Sequence, residues 1–268
     1  MNQEEQPMKI SFSKTISALA LVLAAASSAQ AQFTFNNLSQ ADLDGANKEF
    51  SHNFLFTSVS GASSLGSLWG FEIGVTGGTS DADKISEIIK RTSPNSDFKN
   101  LYNVGLLGRV SIPYGLTLEA GLLPKIKVQD AELSQVAAAI RYNIIELPVA
   151  VGLRAHYSKT AFSFAQTSGA FVGDVKYDSD VYGIQALVSQ NFVMIEPYAG
   201  IGFNEGKGDL TASGSGSVGS FGNSGSAKES SVQFMGGVNL HLGLLNLGAE
   251  YSRAFETNRI SGKLSFGF

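Results

Sequence analysis

The last eleven residues of the chain, 258–268, alternate strictly between two kinds of side chain. One parity is apolar or glycine and the other is polar or glycine: Ile260, Gly262, Leu264, Phe266 and Phe268 against Ser261, Lys263, Ser265 and Gly267. Alternation with a period of two predicts a β-strand with one apolar and one polar face. A fold that uses this strand must place its apolar face against a protein core or a membrane.

Nine earlier segments repeat the pattern, which predicts ten strands in all. They are residues 68–76, 101–112, 115–125, 133–144, 147–157, 181–192, 194–204, 231–242 and 245–256. The connections alternate between long (77–100, 126–132, 158–180, 205–230 and 255–258) and short (112–115, 144–147, 192–194 and 243–245). Outer-membrane barrels combine an even strand number with short periplasmic turns and long outer loops. The sequence therefore predicts an all-β fold, a closed antiparallel up-and-down transmembrane β-barrel, with twelve strands as the alternative if residues 50–60 and 160–178 add pairs.

Composition and aromatic placement support a membrane barrel over the competing secreted β-sandwich. Charged residues make up only 16% of the chain, against roughly 25% in soluble domains. Apolar-face aromatics gather near both strand ends, as expected for two interfacial belts: Trp69, Tyr142, Phe192, Phe266 and Phe268 at the short turns, and Tyr102, Tyr157, Tyr182, Phe203 and Phe255 at the long loops. The net charge of −4 gives no nucleic-acid signature, and the absence of cysteine excludes disulfides and thiolate sites.

The amino-terminal region divides into two parts before the barrel of residues 68–268. Residues 1–31 are expected to be a signal peptide, because lysines precede the apolar run 16–26 and Ala29-Gln30-Ala31 forms an A-x-A cleavage site. Residues 32–67 are then a periplasmic or plug segment. Ser39-x-x-Asp42 resembles a capping box and predicts a short helix over 38–50, whereas 54–59 is expected to form a short strand or to pack as a plug.

The chain also resembles Gram-negative outer-membrane β-barrels, through its signal peptide, its glycine-rich strands and its terminal Leu264-Ser-Phe-Gly-Phe268. The segments 65–75 and 196–202 are similar to motifs of an uncharacterised barrel family. This resemblance implies location in the cell outer membrane. It also implies that Phe266 and Phe268 are an assembly signal read by the barrel assembly machinery. It brings no catalytic residues.

Six charged residues on the polar parity fall at similar depths on successive strands, with alternating sign. They are Glu250, Lys263, Glu72, Arg109, Glu119 and Arg141. Because buried charges need opposite partners, we predict an ion-pair belt across the lumen, closed by Lys263 and Glu72 at the barrel seam. The belt is interpreted either as structural filling or as a constriction that selects polar solutes.

Other residues suggest contacts at the outer end of the barrel. Arg154 and His156 are predicted to line the outer mouth, where an anion would bind. Arg253 has lipid-facing parity and is predicted to contact lipopolysaccharide phosphates. A short amphipathic helix with Ile85, Ile88 and Ile89, behind Ser80-x-x-Asp83, is a candidate cap over the mouth.

The sequence thus favours a monomeric outer-membrane barrel whose partners are membrane lipid, lipopolysaccharide and the assembly machinery. Its predicted function is that of a narrow channel or uptake barrel for small solutes or, alternatively, of a non-conducting structural or surface-interaction (adhesin-like) barrel. A membrane enzyme has less support, because no histidine has metal-binding spacing and no G-x-S-x-G motif occurs. We predict no catalytic residues, no metal and no cofactor.

Overall fold

A computed structural model describes residues 39–66, 69–92, 94, 97–128, 131–146, 148–168, 171–216 and 219–268. The predicted signal peptide, residues 1–31, lies outside the described residues. Within these residues, two helices and ten strands follow one another: α1 Gln40–Asn53, β1 Gly70–Asp81, α2 Asp83–Thr92, β2 Asn100–Ile112, β3 Leu116–Val128, β4 Ala131–Ile145, β5 Ala150–Ser168, β6 Phe171–Ser189, β7 Ile195–Gly216, β8 Gly219–Leu242, β9 Leu245–Ala254 and β10 Thr257–Gly267.

Each strand pairs antiparallel with its sequence neighbours, and β1 pairs with β10 to close the barrel. The ladder reaches the last residue, since Phe71 and Phe268 exchange both backbone hydrogen bonds, at 2.7 and 2.9 Å. The predicted ten-stranded up-and-down barrel is confirmed. The twelve-stranded alternative is wrong, because residues 160–178 extend β5 and β6 and residues 50–60 lie outside the sheet.

The two faces of the wall have opposite polarity. Large apolar side chains such as Ile73, Leu118 and Ile184 point outward and are exposed. Their strand neighbours Glu72, Glu119 and Gln185 point inward and are buried. A barrel in lipid needs this arrangement, with the apolar face outside and all backbone groups paired between strands.

Strands β5 to β8 are much longer than predicted. Residues 158–180 and 205–230, predicted as long loops, mostly continue these strands past the outer tyrosines. The pairing runs, for example, from Tyr182↔Glu205 up to Val172↔Ser215. Only the part of a strand inside the membrane needs an apolar outward face. The alternation of apolar and polar residues therefore stops at the membrane interface, although the hydrogen-bonded ladder continues beyond it.

Both helices lie at the long-loop end of the barrel, here called the outer end. The predicted capping box is present in α1, where Ser39 and Asp42 each accept a backbone hydrogen bond from the other. The region 77–100, predicted as a loop with a short helix, contains α2. Within the described residues, neither helix is long and apolar enough to cross a membrane.

Residues 39–66, here called the plug segment, run through the lumen from its outer end to its inner end. At the outer end, Gln40 of α1 donates to the carbonyl of Ser226 in β8 at 3.2 Å. At the inner end, the backbone N–H of Leu65 donates to Ser111 Oγ at 3.1 Å, close to the turn that joins β2 and β3. Between these points residues 51–62 are all buried. The polypeptide then turns back outward as β1.

Candidate functional site: the sealed lumen

A chain of ion pairs runs along the inner face of the wall, across five successive strands. Lys263 Nζ lies 2.9 Å from Glu72 Oε1 at the closing seam, and Glu72 Oε2 lies 2.6 Å from Arg109 Nη1. Glu119 continues the chain, with oxygens 3.4 Å from Arg109 Nε and 3.6 Å from Arg141 Nη1. The structure thus brings together five of the six predicted belt residues, all of them buried.

Glu250 is the predicted belt residue that has no ion-pair partner within 4.0 Å among the described residues. Its carboxylate instead accepts hydrogen bonds from Thr57 of the plug segment and from Tyr198, both at 3.0 Å. In the register, Glu250 faces Ser261 of β10, whereas Lys263 faces Gly248 of β9 and Thr76 of β1. The Lys263 side chain extends toward Glu72 rather than toward Glu250.

The prediction that Arg154 and His156 line an outer mouth is wrong. Arg154 is 1% exposed and its Nη1 lies 3.6 Å from Glu119 Oε2, so it joins the ion-pair chain. His156 is also buried, with Nε2 2.9 Å from Asn204 Oδ1. Two features account for the error: β5 begins at Ala150 rather than at 147, and the strand continues far beyond the predicted mouth.

Arginine side chains of the wall bind the backbone of the plug segment. Arg259 donates to the carbonyls of His52 and Leu55, each at 2.7 Å. Arg141 donates to the carbonyls of Gly61 and, at 3.0 Å, Ser63. Two wall arginines thus fix the plug backbone near its middle and near its inner end.

The charge balance of the wall explains why the arginines need these carbonyls. Among the described strand residues, five buried cations accompany four buried carboxylates: Arg109, Arg141, Arg154, Arg259 and Lys263 with Glu72, Glu119, Glu196 and Glu250. A buried guanidinium requires acceptors for its donors. The plug carbonyls provide acceptors that the wall carboxylates do not, so plug and wall form one polar network.

The inner end of the plug segment is held closely against β6 and β7. The backbone N–H of Ala62 donates to Ser189 Oγ at 3.0 Å, and that of Ser63 donates to Glu196 Oε1 at 3.3 Å. A Cβ atom at Gly61 would lie only 2.6 Å from Glu196 Oε1 and from Ser189 Cβ. Glycine at position 61 is therefore required by this close approach to the wall.

At the outer end, α1 and α2 are joined by two charged contacts. Arg91, near the end of α2, donates two hydrogen bonds of 2.7 Å to the carboxylate of Asp42, near the start of α1. Glu49 of α1 accepts the backbone N–H groups of Lys84 and Ile85 at 2.6 and 2.9 Å, at the start of α2. Anions are favoured at helix amino termini, so Glu49 acts as a cap on α2. The two helices thus form one unit over the outer end.

These contacts shift the acidity of both carboxyl groups. The hydrogen bonds from Arg91 hold the pKa of Asp42 well below its usual range. Burial raises the pKa of Glu49, against the two backbone donors of α2 that lower it.

Acid should loosen the α1–α2 unit through Asp42. A carboxyl group whose folded pKa is depressed stabilises the fold above its unfolded pKa, about 3.9, and this contribution is lost as the pH falls toward the folded value. Hydrogen-exchange protection of α1, corrected for intrinsic rates, should exceed that of an Arg91→Gln variant at pH 7. The difference should shrink steadily below about pH 4. A difference that stays constant down to pH 2 would contradict this role of the pair.

One histidine and serine pair in the lumen resembles part of a hydrolytic site. His52 Nε2 lies 3.2 Å from Ser252 Oγ, while its Nδ1 lies 2.6 Å from Thr257 Oγ1. Both His52 and Ser252 are almost completely buried, so a substrate has no access to this serine in the closed lumen. In the described part of the chain, no group of three or more metal-ligating side chains is present.

The remaining predicted residues lie on the outer face of the wall. Arg253 is exposed and points outward near the outer end of β9. Phe266 and Phe268 are exposed at the inner end of β10. These positions agree with the parity assigned from the sequence, whereas contact with lipopolysaccharide and recognition during assembly remain predictions.

Two charged lumen residues were not predicted from the sequence, although both have the inward-facing parity of their strands. Arg259 shares the inward parity of Ser261 and Lys263, but it falls at the predicted start of β10. Glu196 shares the inward parity of Tyr198 but falls at the predicted start of β7. Neither residue was included in the predicted ion-pair belt, although side chains at the strand ends reach the lumen contents.

A closed barrel with an apolar outer face and a polar inner face is the architecture of bacterial outer-membrane β-barrels. The chain belongs to the family of unknown function DUF6588, whose model matches residues 23–268. A search of curated proteins finds no match.

Solved structures with a similar fold are outer-membrane proteins. The chain is 10% identical to the outer membrane protease OmpT of Escherichia coli, with 76% of this chain and 100% of that chain covered and a TM-score of 0.48. It is 14% identical to the attachment invasion locus protein Ail of Yersinia pestis, over 76% and 100%, with a TM-score of 0.31. It is 11% identical to the translocator domain of the autotransporter NalP of Neisseria meningitidis, over 75% and 88%, with a TM-score of 0.41. At these identities the likeness concerns the fold alone.

Proposed function

We propose that the chain is an outer-membrane barrel that does not conduct, because its own plug segment seals the lumen, and that it acts through its outer surface. The observation that carries this proposal is the complete burial of residues 51–62 inside the wall. A channel needs a continuous aqueous path, whereas these residues fill the cross-section of a narrow ten-stranded barrel.

The contacts between plug and wall support a permanent seal. Hydrogen bonds join the plug segment to the wall at its outer end, its middle and its inner end. The Ser226 carbonyl accepts at the outer end, and Arg259 and Arg141 donate at the middle and the inner end. Several of these bonds involve buried guanidinium groups, which would lose their acceptors if the plug left. The narrow solute channel is therefore the weaker interpretation of the charged lumen.

The outer surface offers ordered structure for contact with other molecules. The strands β5 to β8 continue for about eleven residues past Tyr182 and Phe203, roughly 35 Å of extended strand. Helix α1 packs on the inner side of this wall, where the rings of Phe50 and Tyr177 lie 4.7 Å apart. A projecting wall of paired strands is suited to a structural or surface-interaction role.

Conductance in planar bilayers tests the seal. The native chain should give no channel events, whereas a variant without residues 39–63 should conduct ions. A variant with a shortened β7–β8 hairpin, lacking residues 211–224 outside the lumen, is the matched control and should stay silent. Steady channel events from the native chain would overturn the proposal in favour of a solute channel.

A further inference from the structure

The wall has a gap between β2 and β3 in its outer half. The two strands pair from Ile112↔Leu116 only as far as Leu106↔Leu122. Both strands continue beyond that point, β2 to Asn100 and β3 to Val128, and each stays paired with its other neighbour. About six residues on each side, roughly 20 Å of strand, thus face each other without a ladder. We call this opening the notch.

Local sequence explains why the strands separate. Pro124 in β3 has no N–H to donate to a ladder. An extra residue between Leu123 and Ile126 bends β3 in its pairing with β4. On the other side, Leu101 of β2 packs with Ala82 and Phe98 beneath α2, which holds the outer end of β2 in place.

The notch faces the membrane at the level of the outer aromatic belt. Tyr102, Val104, Leu106 and Leu122 on its rim are exposed apolar side chains. A cavity of about 40 Å³ lies behind it, between the wall and Phe56 of the plug segment. Unpaired strand edges are costly in lipid, so these backbone groups need polar partners.

Positive charge lies at the outer end of the notch. Lys125 and Lys127 are exposed on the β3 side and share one carboxylate, Glu132, at 2.5 and 3.9 Å. Lys99 is exposed where β2 begins, with Asp97 as the acidic neighbour two residues earlier. Glu132 and Asp97 are the carboxylates described beside these three lysines, and Asp130 follows Lys127 in the sequence. The outer end of the notch thus places lysine ammonium groups beside unpaired backbone donors.

We propose that the notch binds one phosphorylated lipid of the outer leaflet. Its phosphate would accept hydrogen bonds from Lys125, Lys127 and the unpaired backbone N–H groups of the strand edges, which are the donors that phosphate oxygens require. Its acyl chains would cover the apolar rim at Val104 and Leu122. This inference rests on location in the outer membrane, but it is independent of whether the plug segment seals the lumen.

Lipid binding to the delipidated full-length chain in detergent, followed by native mass spectrometry, tests the proposal. The probes are lipid A, dephosphorylated lipid A and inorganic phosphate. The native chain should bind one lipid A, and the double variant Lys125→Gln/Lys127→Gln should bind it about tenfold or more weakly. The matched control Lys176→Gln/Lys228→Gln changes two similarly exposed lysines away from the notch and should bind within about twofold of the native chain.

Three further results decide the site and the ligand. A photoreactive lipid A should cross-link to residues 100–106 or 122–127, whereas a cross-link elsewhere would overturn the proposal. Dephosphorylated lipid A should bind as weakly as the double variant. Equal binding by the native chain and the double variant, or complete displacement by inorganic phosphate at equal concentration, would also overturn it. A closed lumen in conductance measurements would be unaffected by any of these outcomes.

Discussion

Replacing Glu119 by glutamine should destabilise the barrel more than any other single change of charge in the wall. The Glu119 carboxylate lies within 3.6 Å of Arg109, Arg141 and Arg154. All four side chains are buried, so solvent cannot replace the lost negative charge. Removing one partner from a buried ion network costs about 3–5 kcal/mol. Glutamine keeps the shape of the side chain, so the cost reports on charge rather than on packing.

The free energy of unfolding in lipid vesicles measures this effect. The single tryptophan, Trp69, faces outward at the inner end of β1 and reports insertion by its fluorescence in a urea titration. Glu132→Gln is the matched control, because Glu132 also pairs with two cations but lies at the exposed rim. Exposed pairs contribute less than about 1 kcal/mol. Equal losses from the two variants would contradict a central role for Glu119.

The alternation of side chains was enough to predict the barrel, because lipid imposes the same two-residue period on every strand. In β4, for instance, Ile140 and Tyr142 face lipid while Arg141 faces the lumen. The chain of ion pairs could be anticipated for the same reason. Inward parity and similar depth bring Glu72, Arg109 and Glu119 together, since Arg109 faces Glu72 on one side and Glu119 on the other in the strand register.

The contents of the lumen could not be predicted in this way. Residues 54–62 have no periodic pattern that indicates a partner. Phe54, Leu55, Phe56 and Ala62 each pack against a different part of the wall, and the carbonyls of Leu55 and Gly61 are bound by distant arginines. The strands in the segment 205–230 could not be predicted either. Its glycines and serines lie mostly in strands outside the membrane, which have no apolar face. The depth of a side chain in the barrel was also misjudged where a strand begins later than its apolar sequence pattern. Arg154 of β5 is an example.

The threading of the plug segment should have an all-or-none effect on labelling. Ser39 and α1 lie at the outer end of the barrel, whereas residues 64–66 lie beside the short inner turns. We therefore expect residues near the start of α1 to face the outside of the cell, and β1 to begin on the periplasmic side. Ala41 is exposed on α1 and Tyr114 is 95% exposed in the inner turn between β2 and β3. The chain contains no cysteine, so each introduced cysteine is unique.

Labelling of intact cells with a membrane-impermeant maleimide tests the central claim, a lumen sealed by an outward-threaded plug. Ala41→Cys should be labelled as completely as Glu256→Cys in the outer β9–β10 turn. Tyr114→Cys should be labelled only after the outer membrane is permeabilised, and the buried Ser58→Cys only after the barrel is unfolded. A sealed lumen with an outward-threaded plug is contradicted if Ala41→Cys needs permeabilisation while Glu256→Cys does not, or if Ser58→Cys reacts in the folded barrel.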